Sequence, residues 1–211
     1  MESENNIYVI NLDKRPDKME HINNMFEKYF KINRIDAVYR EEGWRGCLLS
    51  HIKCIKYAKE NNLKYIMVME DDCVDMCPNW YERIMKIKKE VFDKKNDWDI
   101  FLGGSLLTQL DNISKYDFEH DNIYNISNST NTHFIVYNHT SYDYILQRAN
   151  FSGGPIDVLW WYNLKCLMPV PFIFKSAPSI SDIAGRYVDH TDMINNNEKK
   201  LLTHIKNNNI A

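Results

Sequence analysis

Three consecutive carboxylates, Glu70-Asp71-Asp72, close the apolar run KYIMVM (64–69) and form the most chemically loaded stretch of the chain. Adjacent carboxylates resist joint ionisation unless cations or hydrogen-bond donors share their charge. Hard divalent ions such as Mn²⁺ and Mg²⁺ take oxygen ligands and are commonly held through one or two carboxylates together with substrate phosphates. In extended backbone Glu70 and Asp72 project to one side and Asp71 to the other. An acidic pair spaced in this way at a strand end suits one metal held against a diphosphate. The bland alternative is a solvated loop that opens the next helix.

The elements that must position this edge follow from hydrophobic periodicity. A strand is expected over 6–12, then a helix opened by Pro16 with Met19, Ile22, Phe26 and Phe30 at helical spacing. Residues 43–62 read as an amphipathic helix, with Leu48, Ile52 and Ile55 on one face and Lys53, Lys56 and Lys59 on another. The unbroken apolar run at 64–69 predicts a strand covered on both faces. Pro78 opens a further helix with Trp80, Ile84, Ile87 and Val91 as its stripe. Strands are expected at 98–104 and 133–137, a helix at 140–149 and another over 153–164, with extended chain at 170–175. Trp160 and Trp161 read as core. The polar stretch 105–131 reads as a variable loop or small insertion, and 191–211 as a polar terminal helix or tail.

Strands alternating with helices predict an α/β, Rossmann-like sandwich, with a mostly parallel central sheet and helices on both faces, formed as a single domain over 1–190. In such sheets ligands bind beyond the carboxyl ends of the strands, which is where Glu70-Asp71-Asp72 falls.

Composition narrows the function classes. The 211 residues are 44% hydrophobic and 26% charged, enough for one substantial core, and the net charge of −3 offers no general basic field for nucleic acid or anionic lipid. The N-terminus lacks a basic-then-apolar signal pattern and no apolar run approaches the roughly 20 residues a membrane span needs, so a soluble, cytoplasmic protein is expected. Five cysteines, an odd number, argue against a disulfide framework, and the Cys73/Cys77 spacing has no second pair to complete a zinc site. Five Asn-X-Ser/Thr sites (Asn112, Asn125, Asn128, Asn138 and Asn150) carry little meaning in a chain without an export signal. A P-loop, a G-x-S-x-G elbow and a His-rich metal cluster are all missing, which weighs against a nucleotidyltransferase or a metal-dependent hydrolase.

Taken in order, IYVINLDKRPDK (7–18), GWRGCLLSHIKCIKYA (43–58) and YIMVMEDD (65–72) resemble glycosyltransferase family 25. DWDIFLGG (97–104), HFIVYNHTSYDYIL (133–146), PIDVLW (155–160) and SISDI (179–183) continue the resemblance over nearly the whole chain. The family comprises lipopolysaccharide-type glycosyltransferases and procollagen galactosyltransferase domains.

The resemblance implies a GT-A-type fold, a nucleotide-sugar donor (a UDP-sugar above all), manganese or magnesium, and inversion at the anomeric carbon. The acceptor would be a hydroxyl on a glycan, a lipid-linked saccharide or a protein. It assigns metal binding to Asp72, with Glu70 beside it reaching the metal or the ribose, and gives Asp71 a part in placing donor sugar or acceptor. Asp157, in GGPIDVLW, becomes the candidate general base, although a carboxylate in a helix's first turn also serves simply to steady that helix. Asn11, Leu12 and Arg15 would hold the nucleotide's base and phosphates, and Ser50 and His51 would belong to the donor site; Arg15 also reads as a solvated helix start and His51 as a helix-packed, satisfied histidine. Asp182 and His190 would supply a late metal or phosphate contact. The other open reading is a non-catalytic nucleotide-sugar or glycan binder descended from a transferase.

Overall fold

The computed structural model describes residues 5–151, 153–160 and 163–210. In chain order it contains β1 (Asn6–Asn11), α1 (Pro16–Phe26), β2 (Lys31–Asp36), α2 (Gly43–Glu60), β3 (Tyr65–Glu70), β4 (Cys73–Asp75) and α3 (Trp80–Ile87), which runs into a π-helical turn (Lys88–Phe92). There follow β5 (Ile100–Leu102), β6 (Leu107–Thr108), β7 (Ser114–Lys115), β8 (Ile123–Ile126), β9 (Ser129–Thr130), β10 (Phe134–Asn138) and α4 (His139–Ala149). A 3₁₀ turn (Ile156–Val158), β11 (Cys166–Pro169), β12 (Phe174–Ser176), β13 (Ser179–Ser181), β14 (Arg186–Val188) and α5 (Thr191–Asn207) complete the chain.

Eight strands form the central sheet in the order β2-β1-β3-β10-β5-β11-β8-β7. Only β10 and β8 run against the other six. The expected α/β sandwich, with a sheet mostly of one direction, is therefore what the chain forms. Alternation along β3 shows why its sequence is continuously apolar. Ile66 and Val68 enter the core on one face together with Ile52, Ile55 and Ile145, whereas Met67 and Met69 enter the other with Ile22, Phe26 and Ile84. Each such fully buried side chain stabilises the fold by about 1.5–3 kcal/mol.

The antiparallel β10 matters for function. Sitting between β3 and β5, it brings its incoming end to the edge where β1 and β3 finish. The Glu70 N–H donates to the His133 carbonyl at 3.0 Å, and Ile10 pairs with Glu70 in register. Residues far apart in sequence thus meet at one sheet edge.

Several expectations need correction. Lys31–Asp36, assigned to no element by its pattern, is an edge strand whose residues are mostly half-buried or exposed. The stretch 105–131 is not a loop: β8 and β7 extend the central sheet and β6 pairs with β9. The helix expected over 153–164 shrinks to the turn Ile156–Val158, so a helix macrodipole does not support Asp157. Extended chain at 170–175 is regular only at Phe174–Ser176. Of the two alternatives for 191–211 the helix is the one formed, with 17 residues that bury Ile194 and Leu201. Its Asn197 amide donates to the Ser105 carbonyl at 3.2 Å and accepts from the Thr108 N–H at 3.2 Å. Trp160 is fully buried, as expected of core, while Trp161 lies outside the described residues. Among the described residues no helix is long and apolar enough to cross a membrane.

Candidate active site

A cleft opens where β1 and β3 end against the first turns of α1 and α2. Asn11, Leu12, Ser50, His51 and all three carboxylates of 70–72 line it. The strand alternation expected across those carboxylates does not hold, because β3 stops at Glu70 and Asp71-Asp72 form a turn into β4. Asp71 and Asp72 instead converge on Lys18, whose ammonium lies 3.2 Å and 3.9 Å from them. Glu70 points away into a separate cluster.

That cluster is a hydrogen-bond network. The Tyr137 hydroxyl donates to His51 Nδ1 at 3.0 Å, which leaves Nε2–H to donate to Glu70 Oε1 at 3.2 Å. Thr132 Oγ1 and, at 3.7 Å, the Cys47 thiol donate to the same oxygen. Burial pushes the Glu70 carboxyl up, but its interaction with His51, helped by the Thr132 bond, outweighs it and holds Glu70 below the usual carboxylate range. The Cys47, His51 and Glu70 donor atoms lie within 4.8 Å of one another, spacing that would admit a metal. Burial holds the thiol well above its ordinary value, however, and both His51 nitrogens are engaged. The group is better suited to orienting Glu70 than to ligating an ion.

Asp72 is different. Its Oδ1 is buried without a hydrogen-bond partner among the described residues. Burial, then the charge of Glu70, pushes its carboxyl up to about 7, against the pull of Lys18. Burial likewise raises Asp71, which accepts from the Asn11 amide at 2.8 Å. Asn11 is itself fixed: it also donates to the Arg15 carbonyl at 2.9 Å and accepts from Arg34 at 3.0 Å.

Not every residue singled out from sequence reaches the cleft with a free hand. The Ser50 hydroxyl donates to the Gly46 carbonyl and accepts from the Val38 N–H, both at 2.8 Å. Arg15 is outside the lining; its guanidinium donates to Asp17, to Asp182 at 2.7 Å and to the Ile180 carbonyl at 3.1 Å. With Lys14, also 2.9 Å from Asp182, it ties the β13–β14 hairpin over the cleft. Gly43 permits that closure, since a Cβ there would stand 2.4 Å from the Ile183 Cα.

A second cavity of about 280 Å³ adjoins the first and shares Cys47, Glu70 and Ile183 with it. Asp157 and His190 line this second cavity, whereas Asp182 lines the first, so the pair suggested for a late contact is divided between them. Asp157 Oδ2 accepts the Asn131 N–H at 3.1 Å. Asn131 holds φ at 100°, a left-handed conformation that Asn tolerates better than most residues. Burial raises the Asp157 carboxyl, the Asn131 bond opposing it.

The sequence reading missed Lys18, Cys47, Thr132 and Tyr137. Lys18 carried one usable signal: it lies in the first turn of a helix that follows a strand, and so at the ligand-binding edge. The other three announce themselves only through pairing between β3, β10 and α2.

The family model described as glycosyltransferase family 25 (LPS biosynthesis protein) matches residues 41–150, more than half of the 211-residue chain. The chain belongs to glycosyltransferase family 25. This family 25 chain is thus a glycosyltransferase, and the matched segment includes the turn at 70–72 and the His51 cluster. No curated protein matches it. Among solved structures it is similar to A197 from STIV, at 9% identity and a TM-score of 0.47 over 79% of this chain and 81% of that one. A glycosyltransferase involved in the glycosylation of the major capsid of PBCV-1 matches at 8% identity and a TM-score of 0.44, over 70% of this chain and 68% of that one. Apo UDP-glucose pyrophosphorylase matches at 11% identity and a TM-score of 0.41, over 92% and 81% respectively.

Proposed function

We propose that this family 25 transferase moves a sugar from a UDP-sugar to an acceptor hydroxyl by direct displacement, with inversion at the anomeric carbon. One observation supports this reading above the others: two cavities meet at Glu70, one holding Lys18 and the Asp71-Asp72 turn, the other holding Asp157. A displacement with inversion needs the attacking oxygen and the leaving phosphate on opposite sides of the sugar, and two adjoining cavities offer both sides.

In the first cavity Lys18 and Arg40 suit the donor's diphosphate, while Asn11 and Leu12 at the end of β1 suit the nucleoside. Asp72 fits a divalent cation, because its buried Oδ1 has no hydrogen-bond partner among the described residues and its burial disfavours an unaccompanied charge. Asp72, with Glu70 nearby, would hold Mn²⁺ or Mg²⁺, which when bound supplies neutralisation of charge growing on the leaving diphosphate. Glu70, fixed by His51 and Thr132, keeps a negative charge beside the sugar's position. Asp157 takes the acceptor's proton as the acceptor oxygen bonds to the anomeric carbon and the bond to the nucleoside diphosphate breaks. Its raised affinity for protons favours that role. Arg15 serves as the anchor of the hairpin rather than as a phosphate ligand.

Calorimetry with UDP, UDP-glucose and UDP-galactose, with and without Mn²⁺, paired with a donor-hydrolysis assay, tests the reading. Metal-dependent binding accompanied by slow hydrolysis sustains it. Binding without turnover of any donor would instead favour the non-catalytic binder, and absence of binding would sink both.

A further inference from the structure

The two cavities differ in charge as well as position, and the difference bears on what the second one receives. The first offers Lys18 and Arg40 to an anionic donor. The second has neither lysine nor arginine among its described lining residues, and it carries two carboxylates, Asp157 and Glu70. Glu70 Oε1 is fixed on that wall by the His51 ring at 3.2 Å and by the Thr132 hydroxyl. Arg45, which stacks 5.5 Å over the Trp44 ring, has its charge answered by Glu42 at 2.9 Å. An anionic group entering this cavity would therefore leave water to face two carboxylates, with His190 but no lysine or arginine among the described lining residues, and like-charge juxtaposition is a strong means of rejecting a ligand.

The rest of the wall suits an uncharged carbohydrate. Trp44 and Ile183 supply apolar surface for the C–H face of a sugar ring, and Thr130, Asn131 and Thr132 border it with hydroxyl and amide groups. A cavity volume of about 280 Å³ suits a single sugar ring. We propose that this second cavity is the acceptor site and that it selects an uncharged saccharide, rejecting acceptors that bear a carboxylate or phosphate beside the reacting hydroxyl. The inference rests on the reading of the chain as a transferase whose base is Asp157.

The test uses acceptor pairs that differ only at C6: p-nitrophenyl β-glucoside against β-glucuronide, and p-nitrophenyl β-galactoside against β-galacturonide. Transfer is measured with Mn²⁺ and each of UDP-glucose, UDP-galactose and UDP-N-acetylglucosamine, and binding by saturation-transfer NMR in the presence of UDP and Mn²⁺. The expected outcome is binding of the neutral member alone, with kcat/KM at least about 10²-fold above that of its anionic partner wherever transfer occurs. Thr130→Lys, which places an ammonium in the cavity, should shrink that ratio about tenfold or more. Equal use or equal binding of both members, or binding of neither, overturns the acceptor inference while donor hydrolysis still supports the transferase. Absence of donor hydrolysis and of transfer to every acceptor removes the underlying reading, and the inference with it.

Discussion

The two cavities on either side of Glu70 share one sheet edge yet are built differently. The first rests on regular elements, the ends of β1 and β3 and the opening turns of α1 and α2, with Lys18 facing Asp71 and Asp72. The second is walled mainly by connections: the residues before β10, the 3₁₀ turn at Ile156–Val158, and the hairpin that carries Ile183. The groups proposed to handle a diphosphate and a cation sit in the turn that closes β3 and the first turn of α1. The groups proposed to face the acceptor ride mainly on connections, which vary more readily while the sheet stays fixed. Glu70, held by His51 and Thr132, is the wall common to both.

The largest effect is expected from Asp72→Asn. It should lower Mn²⁺-dependent UDP binding, read by calorimetry, by about 10²–10³-fold while leaving metal-free binding nearly unchanged. Equal affinities with and without the ion in the wild type would break the assignment of the first cavity.

The wall itself supplies the next test. His133 is fully buried, its Nε2–H donates to the Phe174 carbonyl at 2.8 Å, and burial pulls its affinity for protons down to about 4. The unfolded chain takes up this proton near 6.5 and the folded chain resists it until about 4. The contribution is thus fully present above pH 6.5 and is lost as pH falls towards 4, amounting to about 3 kcal/mol. Urea unfolding at pH 7 and pH 4.5 should show a loss in the wild type that His133→Asn shares to a lesser degree. Identical losses in the two proteins would contradict it.

The smallest change is expected from Tyr137→Phe. Removing the hydroxyl that fixes the His51 ring costs about 1 kcal/mol of stability and frees Glu70 to rotate. It should raise KM for donor and acceptor alike by a few-fold, because Glu70 borders both cavities. A rise for one substrate alone would show that the wall does not act on both sides.

How much of this was legible in the sequence follows from the range of the interactions. The strand at 64–69 and its terminal carboxylates were readable because local periodicity and composition decide them, and the helix at 43–62 for the same reason. The two-residue strands β6, β7 and β9 were not, since they exist only through pairing with distant partners. β2 escaped notice because an edge strand half-exposed on its length shows no alternating apolar pattern. Within the site, Asp72 was found through its carboxylate triplet and Asp157 as a single acidic residue, but their division between two cavities was not. The Thr132–Glu70 bond spans 62 residues and the His51–Tyr137 bond 86, so neither leaves a trace in local spacing. Lys18 reads as one more solvated helix lysine until the turn after β3 places two carboxylates against it.

The separation of tasks across Glu70 is tested most directly by Asp157→Asn, with UDP affinity in Mn²⁺ and single-turnover transfer measured on the same preparation. The expected result is donor affinity within about twofold of the wild type and transfer slowed by about 10²–10⁴-fold. Parallel loss of both, or transfer at the wild-type rate, would contradict the placement of the base in the second cavity.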